Sequence, residues 1–358
     1  MPAAVVKALH ERRAPASGEE LAEFETDVLA EFVLARAAAG IADTTISNDV
    51  TDLEQIRAWF GRPLWEMEPS DADRYLGREL RKASPLTRQG KAGTLSMFFD
   101  FLELRHRAEI YALTGHAVEC PIDEMNRPVG SPQAMIRVPP SRREIEALFG
   151  CWAEELDTCR KFAPAARNYT AARMMSQVGL RVNESLKLDL DDVRWDLGTF
   201  GKLNVRFGKG KRGQGPKQRI VPLINGGRAT LQWFVEDVWA MFGGDWTLPG
   251  VPLYPSERKA RDGGCLRVGQ DQIRSALHEA VKRYLPGWMG RLTPHVLRHY
   301  CASELYLSGM DLVAIQELLG HDWVATTMRY VHVQRTHIED SWIKGQQRAA
   351  DRLKGLGS

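Results

Sequence analysis

The sequence predicts a mainly α-helical protein of two domains: a helical bundle, then an α+β domain that carries one small β-hairpin. Three observations predict it. Apolar residues recur at helical spacing from Gly18 to about Cys120. A stretch without periodicity, "PIDEMNRPVGSPQAMIRVPPSRREI", then interrupts the chain with five prolines. In the second half the period switches from 3.6 to 2 in "TFGKLNVRF" and "KQRIVPL", with a glycine-rich turn between them. At 358 residues the chain is long for one core, so two domains are the natural count.

Each element has its own signal. Residues 1–17 read as a loose arm. From Gly18, Leu21, Phe24, Val28, Leu29, Phe32, Val33 and Leu34 follow helical spacing. "DTTISNDVTDLEQIRAWF" predicts a second helix with Asp43 or Thr44 as N-cap, and "PSDADRYLGREL" begins a third. "SPLTRQGKAGTLSMFFDFLEL" predicts a fourth, with Leu95, Phe98, Phe99, Phe101 and Leu102 on its apolar face. The bundle therefore covers 18–120 and the linker 121–140. The second domain, 141–335, is expected to hold helices near 141–155 and 163–178, then the hairpin. After the hairpin the rest reads as helical, near 226–242, 269–284, 294–308, 311–319 and 322–332. A tail, 336–358, carries a last amphipathic helix.

Composition narrows the class. With 44% hydrophobic and 26% charged residues and a mean hydropathy of −0.33, the chain reads as globular. No run approaches the roughly 18 apolar residues of a membrane span, and the first residues lack the order of a secretory signal, so a cytoplasmic protein is expected. Five scattered cysteines without a C-x-x-C pair read as reduced thiols. The net charge of +2 conceals a division. Residues 1–140 hold 16 Lys and Arg against 22 Asp and Glu, whereas 141–358 hold 32 against 24. The second half is the one suited to a polyanion.

Several residues stand out chemically. In "TPHVLRHY", Thr293 suits an N-cap and Pro294 the first helical position, so His295 and Arg298 share one helix face. His295 and His299 have the i,i+4 spacing of a zinc-binding helix, but Val296 stands where that motif needs glutamate and no third ligand is evident. No metal is expected. Gly320 ends a helix before His321, and Tyr330 lies nine residues further on. Read alone, that segment also fits a helix-turn-helix with a buried tyrosine. In "GLRVNESLKL", Arg181 follows a Gly-Leu turn and Glu184 could tether it in a structural ion pair. The hairpin carries Lys209, Lys211, Arg212, Lys217 and Arg219 around a flexible tip, and a solvated basic loop would look the same.

In this order and spacing, "GLRVNESLKL", "GKGKRGQGPKQRIVPL", "TPHVLRHYCASELYLSGMDLVAIQELLGH" and "TTMRYVHV" resemble the tyrosine recombinases, or phage-type integrases. The resemblance is dense over about 170–345 and looser in the first domain, where "SPLTRQGKAGTLSMFFDFL" is similar to the family's core-binding helix. It implies a core-binding domain that clamps duplex DNA and a tyrosine-recombinase catalytic domain. Tyr330 would be the nucleophile that forms a 3′-phosphotyrosyl link. Arg181 and Arg298 would grip the non-bridging phosphate oxygens, and His321 would add a donor. Lys209 would protonate the leaving 5′-oxygen, His295 would assist proton transfer at the tyrosine, and Glu184 would orient Arg181.

Further DNA contacts are expected from Lys211, Arg212, Lys217 and Arg219, and from a cluster in the acidic first domain, Arg78, Arg81, Lys82, Arg88 and Lys91. No cofactor is implied. The partners implied are double-stranded DNA with paired half-sites, three further copies of the chain in a tetramer joined through the tail, and accessory DNA-bending proteins. A type IB topoisomerase shares the chemistry, and a non-catalytic DNA-binding protein could share the fold.

Overall fold

The structure is a computed structural model that describes residues 17–129, 138–208, 217–320 and 346. It divides into two compact units, residues 1–134 and 135–358, each with its own apolar core.

In the first unit the Ser17 hydroxyl accepts from the Glu20 amide, and the Glu20 carboxylate accepts from the Ser17 amide. This reciprocal cap starts α1, Gly18–Ala38. The helices α2 (Asp43–Phe60), α3 (Pro69–Gly77), α4 (Pro85–Arg105) and α5 (Arg107–Thr114) follow. Ala42, not Asp43 or Thr44, occupies the N-cap of α2. The α4 face Leu95, Phe98, Phe99, Phe101 and Leu102 is wholly buried against Val28 and Phe32 of α1 and Leu53 and Ile56 of α2. Leu34, which the periodicity assigns to the α1 face, points to solvent at 67% exposure; the stripe follows Val28 and Phe32 instead.

The second unit is built around α7, Phe162–Val178. Small residues, Ala166, Ala171 and Ala172, let neighbouring helices approach it closely. Against it pack α6 (Arg142–Leu156), α9 (Gly227–Trp233), α10 (Gln270–Tyr284) and α11 (Pro294–Leu307). Short α8 (Val182–Leu186) follows α7, and α12 (Leu312–Leu319) follows α11. Thr293 and Asp311 cap α11 and α12 through their side chains, and Gly320 ends α12 in the left-handed region.

Three antiparallel strands, β1 (Val193–Arg194), β2 (Lys202–Gly208) and β3 (Lys217–Pro222), form one sheet. Leu203 faces Val221, and Val205 faces Arg219. By strand parity Arg219 therefore shares the inner face with Leu203, Val205 and Val221, while Ile220 is half exposed on the outer face.

Two expectations fail after the hairpin. The segment is not all helical: β4 (Pro255–Lys259) and β5 (Cys265–Arg267) form a second, two-stranded sheet. Arg267 fastens it, donating to the Leu188 carbonyl at 2.8 Å and to Asp189, which Arg206 of β2 also engages. The predicted helix 226–242 is α-helical only over Gly227–Trp233. It widens to a π turn at Phe234–Val238 and tightens to a 3-10 turn at Trp239–Phe242, where the Trp239 indole reaches the Pro252 carbonyl at 3.1 Å.

Candidate active site

The end of α7 sets the site. Gly179 takes φ +72°, and a Cβ there would stand 2.5 Å from Leu319 Cδ2 and 3.3 Å from Cys301 Sγ. Glycine is required both for the turn and for the close approach. The turn delivers Arg181 at the N-cap of α8, where Glu184 accepts from the Arg181 amide at 3.0 Å and from its guanidinium at 2.5 Å.

Glu184 is buried, and two more arginines reach it from distant segments. Arg219 forms a two-pronged fork, at 3.0 Å to Oε1 and 2.7 Å to Oε2, and its Nε donates to the Leu318 carbonyl at 3.0 Å. Arg298 lies 3.6 Å from Glu184 Oε2 and donates to the carbonyls of Gly179, at 2.7 Å, and Leu319. One carboxylate thus organises three guanidinium groups. Burial works to raise its pKa, but the hydrogen bonds and charge of Arg219, helped by Arg181 and Arg298, overcome this and hold it at about 2. The group is a fixed anion. Of the three arginines Arg181 is the most open, its side chain 28% exposed against 9% for Arg219 and 1% for Arg298.

Arg181, Glu184 and Arg298 are brought together. His295, in the first turn of α11, is exposed, with its Nε2 2.8 Å from His299 Nε2. Tyr330, His321, Lys209, Lys211 and Arg212 lie outside the described residues. Lys217 is exposed where β3 begins. Arg219, expected on DNA, is instead turned inward onto Glu184 and the end of α12; a Cβ on Gly320 would stand 3.0 Å from its Cδ. Only its parity with Val221 signals this in the sequence.

In the first unit Arg78, Arg81 and Lys82 are exposed and Arg88 is half-buried. Lys91 departs from expectation: it is buried, and its ammonium is committed to Asp52 and Gln55, each at 2.7 Å. Cys301, behind the arginines, is not a candidate nucleophile, since burial pushes its thiol up to about 12 despite the charge of Arg298. Among the described residues no group of three or more His, Cys, Asp or Glu could hold a metal, and no helix is long and apolar enough to cross a membrane.

A helical domain thus gathers two widely separated arginines on one buried carboxylate, beside a basic β-hairpin. Residues 153–337 match the model of the phage integrase family, about half of the chain, and the chain belongs to that family, the tyrosine recombinases. Among its relatives, tyrosine recombinase XerD of Staphylococcus epidermidis is 31% identical over 185 residues, which cover 51% of this chain and 56% of that protein. The chain thus spans little more than half the length of that relative. XerC of Vibrio campbellii is 28% identical over 77% of this chain and 75% of its own length, and XerD of Pseudomonas aeruginosa is 29% identical over 84% and 90%.

Solved recombinase structures share the fold. The XerH site-specific recombinase in a post-cleavage complex with its palindromic difH substrate matches with a TM-score of 0.62 at 19% identity, over 91% of this chain and 84% of that one. A lambda integrase dimer bound to a COC′ core site matches at 0.57 and 17%, over 85% and 94%.

Proposed function

We propose that the protein is a site-specific recombinase that cuts and rejoins duplex DNA without a metal. The observation that carries this reading is the convergence of Arg181 and Arg298 on Glu184. Guanidinium groups held by a fixed anion are oriented before substrate arrives, which suits them to the charge that develops on a phosphorane. Tyr330 attacks the scissile phosphorus, its phenolic proton passing toward His295. The 5′-oxygen leaves with a proton from Lys209, His321 donates to a phosphate oxygen, and the bond is conserved in the 3′-phosphotyrosyl link.

Family membership and the likeness to recombinases such as XerD and XerH support this reading. It further includes paired half-sites, a tetramer joined through residues 336–358, DNA-bending accessory proteins and action in the cytoplasm. We divide the chain accordingly into an arm, 1–17; a core-binding domain, 18–120; a linker, 121–140; a catalytic domain, 141–335; and a tail.

The test begins with target duplexes selected from random sequence by band shift. On a nicked version of such a target the wild type is expected to form a denaturation-resistant adduct, with or without chelator. Tyr330→Phe should bind the same DNA and form none. An adduct from the Phe variant, or cleavage that chelator abolishes, overturns the assignment.

A further inference from the structure

Three helices of the second unit line one cavity of about 230 Å3, each with two polar side chains spaced i,i+4: Arg142 and Glu146 on α6, Arg173 and Gln177 on α7, Tyr300 and Glu304 on α11. The exposed α6 pair closes on itself, Arg142 Nε donating to Glu146 at 2.8 Å. The other four are more buried and are not joined in this way. Gln177 is 7% exposed, and its Oε1 is a buried acceptor without a hydrogen-bond partner among the described residues. Arg173 is half-buried, its guanidinium held over the Phe149 ring, 4.7 Å from the centroid. Glu304 is half-buried too, and burial raises its carboxyl above the ordinary value, Arg142 opposing the rise and Glu146 adding to it. Burial foremost, then the charges of Glu304 and Glu146, push the Tyr300 phenol up to about 12, so it stays a neutral donor.

A buried acceptor left unmatched costs free energy that a ligand's donor would recover. Here a cation, an anion, an acceptor and a neutral hydroxyl line the same small space. A ligand with a single charge would suit Arg173 or Glu304 and leave the other unmatched. The volume lies below the roughly 300–1,000 Å3 of sites for drug-sized molecules, which calls for something small. We propose that the cavity binds a small zwitterion of the free α-amino-acid class, its carboxylate on the Arg173 guanidinium and the Tyr300 hydroxyl, its ammonium on Glu304 and Gln177 Oε1. The site lies on the last turns of α7, two residues before the Gly179 carbonyl that accepts from Arg298 at 2.7 Å, yet it stands whether or not the chain cuts DNA.

The test titrates the full chain by calorimetry, at neutral pH, with each of the standard free amino acids. At least one is expected to bind with a Kd below about 1 mM. The N-acetyl derivative and the carboxamide of that amino acid each lack one of the two charges, and both should bind at least about tenfold more weakly. The free amino acid should lose at least about as much affinity for Glu304→Gln and for Arg173→Gln. Failure of every amino acid to bind below about 1 mM, or derivatives that bind as well as the free molecule, overturns the inference. So does unchanged affinity in either folded variant. The derivatives need no substitution, so the test stands even if a variant fails to fold.

Discussion

Glu184 shows how a single residue can carry both stability and chemistry. Its carboxyl is held at about 2 against an ordinary 4.5, so its charge stabilises the folded state fully above about pH 4.5. That contribution, on the order of 3 kcal/mol, is lost as pH falls through about 2. Glu184→Gln should therefore be less stable than wild type by about 3 kcal/mol at neutral pH, with three buried or half-buried cations left without their anion. Urea unfolding across pH should show the gap narrowing below pH 4.5 and closing near pH 2; a gap independent of pH would place the effect in packing instead. Arg219→Ala should lose both folding stability and cleavage. Arg181→Ala, whose side chain is the more open, should fold with little loss and slow cleavage by about 100-fold or more.

At the scale of elements the controlling device is the close approach of α7, α11 and α12 around Gly179. Gly179→Ala combines a left-handed backbone with a Cβ 2.5 Å from Leu319 Cδ2, and should cost about 2–4 kcal/mol. Gly61→Ala has φ +78° at the end of α2 with nothing within 4 Å, so only the backbone strain of about 1 kcal/mol should remain. Equal destabilisation of the two in thermal melts would dismiss the packing argument. The same elements show what could be read in the sequence. The Thr293 cap, the Gly320 stop and the α4 stripe are local signals, legible without the structure, whereas Ser17, which caps α1, reads in the sequence as part of the arm. Pairing β4 with β5 is not local. "PSERK" and "CLR" lack an apolar alternation because donors from Arg267 to the Leu186–Asp189 segment hold them in place. Arg219 was legible as a basic residue of a hairpin, but its anion lies 35 positions away, beyond any periodicity.

For the molecule as a whole, charge is divided between the halves, 16 basic against 22 acidic residues in 1–140 and 32 against 24 in 141–358. Non-specific DNA affinity should fall steeply with salt, most of the slope arising in the second half. If Arg78, Arg81 and Lys82 touch phosphates, replacing all three by alanine should lower the log–log salt slope by about 2–3, measured by fluorescence polarisation; an unchanged slope would remove them from the interface. The three-arginine centre also sets when in the protein's life its chemistry can exist. Arg298 is bonded to a carbonyl 119 positions earlier, and Arg219 to one 99 positions later. While the chain is still leaving the ribosome, Arg181 emerges beside Glu184, then Arg219, and Arg298 only later. The arginine carried by α11 and the Leu319 carbonyl it donates to are made after Arg181, Glu184 and Arg219. On the proposed chemistry, an abortive translation product retains basic surface and can cling to DNA, yet it cannot open a strand. On that reading, the order of synthesis alone keeps unfinished copies from cutting the DNA they hold.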